Sequence, residues 1–292
     1  MTPRSGRLEA VPYSLSRWTD VPSAKWAWFK EQLVAGKMQA FDPRTAVPEW
    51  WSLKPEDTHS LVFWTKDPRN LVRDFEAIKP YPIKLHVTLT GWEEVEPGVP
   101  PADVVASYVA LMANRIGKEN VTWRFSPVPL LPAHWSSQKS PDDGSWFSME
   151  GLALYDRFER LAGLLRGLTE TVYLSFLQTN DLVQETRMPA ERARVASMLT
   201  MVGERYGMKV LLCNDDTSLG AQTLRAHVIT RGVCVPCEGN PKPAAEKCGC
   251  AIMVDPFTIN ETCTMGCTYC YAADKSLAPK KRNSTKGLMV VK

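Results

Sequence analysis

Seven short apolar or alternating runs, separated by stretches with helical spacing, constrain this 292-residue chain more than any other feature. The runs are YSLS (13–16), HSLVFWT (59–65), IKLHVTLT (83–90), NVTWRF (120–125), TVYLSFL (171–177), MKVLLC (208–213) and IMVDPFTI (252–259). Their length and their alternating or continuous apolar character predict strands. Between them, SAKWAWFKEQLVAGK (23–37), DPRNLVRDFEAI (67–78), PPADVVASYVALMANRIGK (100–118), MEGLALYDRFERLAGLLRGL (149–168) and MPAERARVASMLTMVGERYG (188–207) carry an apolar stripe at helical period. The first helix opens on a serine able to cap it and closes at a glycine.

Parallel strands need a crossover rather than a hairpin, and a helix is the usual crossover. The alternation therefore predicts an α/β fold of parallel strands, closed or partly closed as a (β/α) barrel. A flat doubly wound sheet is the alternative. Its dinucleotide-binding form is disfavoured, because the first strand-to-helix turn has no glycine-rich phosphate loop. SSQKSPDDGSW (136–146) reads as an insertion loop. No composition shift precedes residue 230 or so, which predicts one domain over 1–292. Within it, 230–252 is a cysteine-rich segment and 253–275 a last strand and loop.

Apolar residues at 44% and charged residues at 23% supply a substantial core and exclude a disordered chain. No run approaches the roughly 18 apolar residues of a membrane span, and the N-terminus lacks the apolar core of a signal peptide. A cytoplasmic protein without membrane contact is expected. A formal net charge of +3 does not by itself argue for nucleic acid.

All eight cysteines fall between Cys213 and Cys270. A disulfide framework belongs to small exported domains, so this clustering points to metal ligands. Cys263, Cys267 and Cys270 form Cys-x3-Cys-x2-Cys just after the last predicted strand. An iron–sulfur cubane is usually held by four thiolates, so three on one loop leave an iron open to a further ligand. Cys213, Cys234, Cys237, Cys248 and Cys250 form a second group, of which four suffice for tetrahedral zinc or a second cubane. Spacing alone favours Cys237 over Cys213 as the fourth ligand of that group.

In barrel-type folds the chemistry sits at the C-terminal ends of the strands. Those positions hold Arg17, Trp18, Thr19 and Asp20, then Lys66 and Asp67, Thr88 and Thr90, Arg124 and Ser126, Asn180, and Asn214 with Asp215. Asp20 and Asp67 also read as helix caps. His86 and His227 read as barrel-interior or packed residues, His59 and His134 as loop residues.

The three-cysteine loop, with Tyr269 just before Cys270, resembles the signature of radical S-adenosylmethionine (SAM) enzymes. SLSRWTDVP, VFWTK, TLTGWEEVEPGVP and VTWRFSPVPLL are similar to later strands of spore photoproduct lyase-like members of that superfamily. A bacterial type of such proteins carries similar segments in this order, with the cluster cysteines at its C-terminal end. The resemblance covers roughly residues 13 to 275 and differs from the common order, in which the cluster loop follows the first strand. It implies a circularly permuted radical SAM barrel, the first strand having moved to the end of the chain.

The resemblance further implies a [4Fe–4S] cluster on Cys263, Cys267 and Cys270, whose open iron binds SAM. Reductive cleavage of SAM then gives a 5′-deoxyadenosyl radical that abstracts hydrogen from substrate. It puts SLSRWTDVP on the strand beside the cluster strand. Ser16, Arg17, Thr19 and Asp20 become candidates to hold SAM's methionine end, and Tyr269 lies by the adenine. Lys66, Thr88 and Arg124 are candidates for ribose, carboxylate or substrate. Glu96 matches the resemblance as well, a turn residue being its plainer reading. An auxiliary [4Fe–4S] cluster, or zinc, is implied for the second group, with counterparts resembling Cys213, Cys234, Cys248 and Cys250. An electron donor such as flavodoxin or ferredoxin is implied as partner.

The expected activity is lyase- or isomerase-type modification of a nucleobase, such as a modified thymine in DNA. The tail 275–292, with six basic residues, offers phosphate contacts. Two rival classes remain: a radical SAM enzyme acting on a peptide or small metabolite, and a non-catalytic zinc- or iron–sulfur-binding protein.

Overall fold

Which strand lies next to which decides what this chain can present at its strand ends. The computed structural model describes residues 11–41, 47–128, 149–176, 188–212, 230–231, 243–245, 248–251, 253–257, 263–267 and 269–270. Its elements in chain order begin with β1 (Val11–Leu15), α1 (Val21–Ala24), α2 (Trp26–Ala35), β2 (Lys37–Phe41), β3 (Pro48–Ser52) and β4 (Thr58–Thr65). They continue with α3 (Arg69–Arg73), β5 (Ile83–Thr88), α4 (Ala102–Ile116), β6 (Val121–Val128), α5 (Met149–Leu165) and β7 (Thr171–Phe176). The last are α6 (Met188–Arg205), β8 (Lys209–Leu212), β9 (Thr230–Arg231), β10 (Pro243–Ala245) and β11 (Cys248–Ala251).

The main sheet has seven strands in the order β1-β4-β5-β6-β7-β8-β9, and every pairing is parallel. The order rises without reversal, so the sheet has no switch point of the doubly wound kind. The predicted α/β class is thus present, but the expected helix 23–37 is split into α1 and α2, and that over 67–78 is α-helical only at Arg69–Arg73. Of the expected strand 252–259, the described residues make only isolated bridges at Val254 and Asp255. The β2–β3 hairpin, antiparallel from Lys37↔Ser52 to Phe41↔Pro48, has no counterpart among the expected elements.

Local chemistry accounts for the boundaries. Asp20, rather than the expected Ser23, caps the first helix by accepting the Ser23 amide at 3.1 Å. Helix α2 stops at Gly36, whose φ of +63° is a left-handed conformation that glycine adopts without penalty. On α4, Val105, Val109, Met112 and Ala113 recur at helical spacing and are all buried.

Register separates the sheet into two unlike faces. Tyr13, Leu61 and Ile83 align, as do Leu15, Phe63 and Leu85, and then Val87, Trp123, Val172 and Val210. All of them join the main core, together with every described buried apolar side chain of α1 to α6. Alternation turns the residues between them to the other face. That face carries Ser14, Val62, Trp64, His86, Thr88, Arg124, Tyr173 and Leu211. Helices thus cover one face, and the other is polar and aromatic.

A further segment extends the sheet beyond β1. Val254 bridges Tyr13 in parallel, and its carbonyl accepts the Ser14 amide at 2.8 Å. On the outer side Asp255 bridges Phe41 of β2 in antiparallel fashion. Val254 and Asp255 therefore occupy the edge between β1 and β2. Among the described residues no pairing joins this edge to β9, so the sheet is not closed.

Candidate functional site

The cysteine loop begins eight residues after Asp255 and returns to the C-terminal ends of β1, β4 and β5. Three anchors place it there, each made by residues just past a strand.

The first anchor joins the end segment to β1. Asp255 is buried and accepts from Ser14 Oγ at 2.8 Å, from Ser16 Oγ, and from the Arg17 and Phe257 amides at 3.1 and 3.0 Å. Burial raises its pKa above the ordinary carboxyl range, and these four donors pull it back. Ser14 also accepts from Trp64 Nε1 at 3.1 Å, which carries the network to β4.

The second anchor is Asp20, which follows β1. Its carboxylate accepts from Thr65 Oγ1 at 2.8 Å, from the Lys66 amide at 2.8 Å and from the Ser23 amide at 3.1 Å. Burial lifts its pKa to about 6 in spite of these bonds. The backbone N–H groups of Met265 and Asp20 both donate to the Cys263 sulfur. The start of the cysteine loop is thereby tied to the turn after β1.

The third anchor lies past β4 and β5. Glu96 is 3% exposed, and its Oε1 accepts from Lys66 Nζ at 2.8 Å, from Thr90 Oγ1 at 2.6 Å and from the Tyr269 hydroxyl. Lys66 Nζ lies 3.1 Å from that hydroxyl as well. Burial and the adjacent Glu96 charge raise the Tyr269 pKa well above the phenol range. Two residues on, the Gly98 amide donates to Met265 O at 3.0 Å. A Cβ at Gly98 would lie 2.2 Å from Thr264 O, so only glycine fits this approach.

The three cysteines are half-buried and in no disulfide among the described residues. Burial pushes the Cys267 thiol up to about 12, although Lys66 pulls it down, and burial raises Cys263 as well. Cys263 and Cys270 each act electrostatically on Cys267. Among the described residues no three or more His, Cys, Asp or Glu side chains are gathered as a preformed metal site. The loop carries three cysteines of ligand type, with Lys66 acting on Cys267 and backbone N–H donors on Cys263, while burial favours the protonated thiol at both.

Of the residues singled out in the sequence, Asp20, Lys66 and Tyr269 come together at this loop, while Ser16 bonds Asp255 in the segment before it. Arg17 is exposed at the end of β1 and contributes its amide to Asp255. Thr19 is buried, and its hydroxyl has no hydrogen-bond partner among the described residues. Arg124 is elsewhere, on the polar face. Its guanidinium sits 5.2 Å from the Trp64 ring and 5.8 Å from the Tyr173 ring. Trp64 in turn stacks on His86 at 4.2 Å and packs against Met253 and Val62. Thr88 is the register partner of Arg124.

Asp67 accepts from the Arg69 amide and guanidinium near the start of α3. His59 lies 3.1 Å from Ser60 Oγ. Cys248 and Cys250 lie on β11, paired antiparallel with β10. Cys213, Cys234, Cys237, Asn180, Asn214, Asp215, His134, His227, the 136–146 loop and the basic tail fall outside the described residues.

A family model described as a domain of unknown function, DUF1848, matches residues 13–272. The chain belongs to that family. Comparison with curated proteins and with solved structures finds no match. The DUF1848 match runs from Tyr13 on β1 to two residues past Cys270, so it spans both partners of the first anchor and the whole cysteine loop.

Two groups essential to this arrangement were not assigned a role from sequence. Asp255 stands in an apolar run, where an acid must find partners. The serines at 14 and 16, alternating on the strand expected beside it, were the available signal. Gly98 had no signal, because its neighbour is 167 residues away in the chain.

Proposed function

We propose that this DUF1848 chain is a radical SAM enzyme built on a circularly permuted, partial (β/α) barrel. One observation carries the reading: the segment before the cysteine loop pairs in parallel beside β1, and the loop then meets the ends of β1, β4 and β5. Strand-end placement is where barrel-type folds hold their chemistry. The monotonic strand order and the single helix-covered face also agree with a barrel wall.

On this reading Cys263, Cys267 and Cys270 hold a [4Fe–4S] cluster with one iron open to SAM. When bound and reduced, the cluster supplies the electron that splits SAM into methionine and a 5′-deoxyadenosyl radical, which takes a hydrogen atom from substrate. Asp20 and the Thr19 hydroxyl lie in the turn tied to Cys263, and serve the methionine end together with Ser16 and Arg17. Tyr269 shapes the wall beside Cys267. Trp64 and Arg124, half-buried on the polar face, offer stacking surface and positive charge to a planar substrate, for which a nucleobase is the leading class. The second cysteine group holds an auxiliary [4Fe–4S] cluster or zinc. A flavodoxin- or ferredoxin-type protein delivers the electron.

Anaerobic reconstitution tests the reading. A brown protein carrying about four irons per cluster, with a spectrum that changes on adding SAM, is expected. Cys267→Ala should abolish 5′-deoxyadenosine formation. Colourless protein that takes up zinc and no iron overturns the enzyme reading. Base analysis after turnover on DNA separates a nucleobase substrate from a peptide or small metabolite.

A further inference from the structure

Two contacts grip the cysteine loop on either side of Cys267. On the N-terminal side, Gly98 N–H donates to Met265 O at 3.0 Å, and Pro97 faces Gly266, whose φ is +64°. On the C-terminal side, the Tyr269 hydroxyl meets Glu96 Oε1 and lies 3.1 Å from Lys66 Nζ. Both contacts originate in one three-residue stretch, 96–98, in the connection after β5, with Lys66 added from the end of β4.

The Lys66–Glu96 pair is a costly way to hold a fold together. Its side chains are 12% and 2% exposed at an N···O distance of 2.8 Å. Taking two charges out of water costs about as much as their attraction returns, so a buried pair adds little net stability. It does impose geometry, because each group left without its partner is heavily penalised. Here three donors from three separate segments converge on one oxygen, and one of them belongs to the cysteine loop.

We infer that Glu96 and Lys66 are positioning residues: with Gly98 they form a clasp that fixes the path of the loop around Cys267 before any metal is bound. The loop follows the edge segment at Val254 and Asp255, which ties its N-terminal side to the sheet. The clasp supplies the second tie from β4 and β5. Such preorganisation removes the ordering cost from the ligand-binding step. The clasp stands independently of which metal or cluster the cysteines hold.

Backbone amide exchange in the metal-free protein tests this without reference to activity. The reporters are the Gly98 amide, bonded to Met265 O, and the Cys270 amide, bonded to Cys267 O at 3.1 Å. In Tyr269→Phe, which removes only a hydroxyl, exchange at both should rise by about tenfold, the effect of losing one charge-assisted hydrogen bond on local opening. Amides in the centre of β5 and β6 should not change. Glu96→Ala should raise loop exchange further, and Glu96→Gln, which keeps an acceptor for the Tyr269 hydroxyl but leaves Lys66 without its counter-charge, should restore only part of the protection. If Glu96→Ala does not fold, Tyr269→Phe and Glu96→Gln carry the test alone.

Unchanged loop exchange in folded Tyr269→Phe overturns the clasp. So does a rise matched by an equal rise in the centre of the sheet, since that reports global destabilisation. In a second arm the same variants are reconstituted anaerobically, and the rate of iron uptake is followed. Slower uptake in step with faster loop exchange supports the clasp. Wild-type protein that shows the protection but takes up no iron also supports it, while overturning the radical SAM reading.

Discussion

The two faces of the sheet are made from the same strands, yet they are chemically unlike. The helix-covered face repeats Leu15, Phe63, Leu85, Val87 and Trp123, and each of these is at most 1% exposed. The polar face carries Ser14, Trp64, His86, Thr88 and Arg124 at the alternating positions. A sheet with helices on both sides would bury two apolar faces and read as continuous hydrophobic runs. Retaining an arginine, a histidine and hydroxyls on one face costs burial energy there. What is gained is a second face with directional chemistry.

Mutations sharpen this comparison in descending order of effect. On the helix face, Trp123 stacks on Phe158 at 4.7 Å and donates to Leu89 O at 2.8 Å. Trp123→Ala should lose about 3–5 kcal/mol of stability in urea unfolding. A loss below about 1 kcal/mol would mean that this face is not the core.

Gly98→Ala comes next, because its Cβ would strike backbone rather than a flexible side chain. A cost of about 1–3 kcal/mol is expected. It should be concentrated in the loop, and limited proteolysis between residues 260 and 270 is the readout.

Asp255 tests the junction through pH. Burial raises its folded-state pKa, so the folded protein holds this proton to higher pH than the unfolded chain. Its contribution is fully present below the unfolded value of about 3.9 and is lost as pH rises through the folded value. The stability difference between wild type and Asp255→Asn should therefore change with pH in that window, wild type losing ground as pH rises. A difference that does not vary with pH would show that the carboxyl is not shifted.

The smallest effect belongs to the polar face. Arg124→Met should alter stability by less than about 1 kcal/mol, the scale of a cation–π contact, in the same unfolding assay. If it matched Trp123→Ala, the two faces would not differ in kind.

Much of this was legible from the chain. Alternation at period two in HSLVFWT and IKLHVTLT gave β4 and β5, and the helical stripe in 100–118 gave α4, because both patterns express burial on one side. The placement of SLSRWTDVP beside the last strand was also anticipated, through a resemblance rather than through periodicity. The β2–β3 hairpin escaped because KMQAF follows a helix with only Gly36 between them, and PEWWS is short and begins at a proline. Glu96 reads as a turn residue as readily as a match to the resemblance, since nothing local distinguishes a solvated glutamate from one buried against a lysine 30 residues earlier.

The sequence by itself determined the strands, the helices and the three cysteines, all of which rest on short-range patterns and side-chain chemistry. Only the tertiary structure decided that residues 253–255 lie beside β1, that Lys66, Glu96 and Tyr269 meet, and that Gly98 cannot be larger. Those facts depend on groups between 30 and more than 200 residues apart in the chain. Periodicity carries no information over such separations, and packing and buried hydrogen bonding settle them.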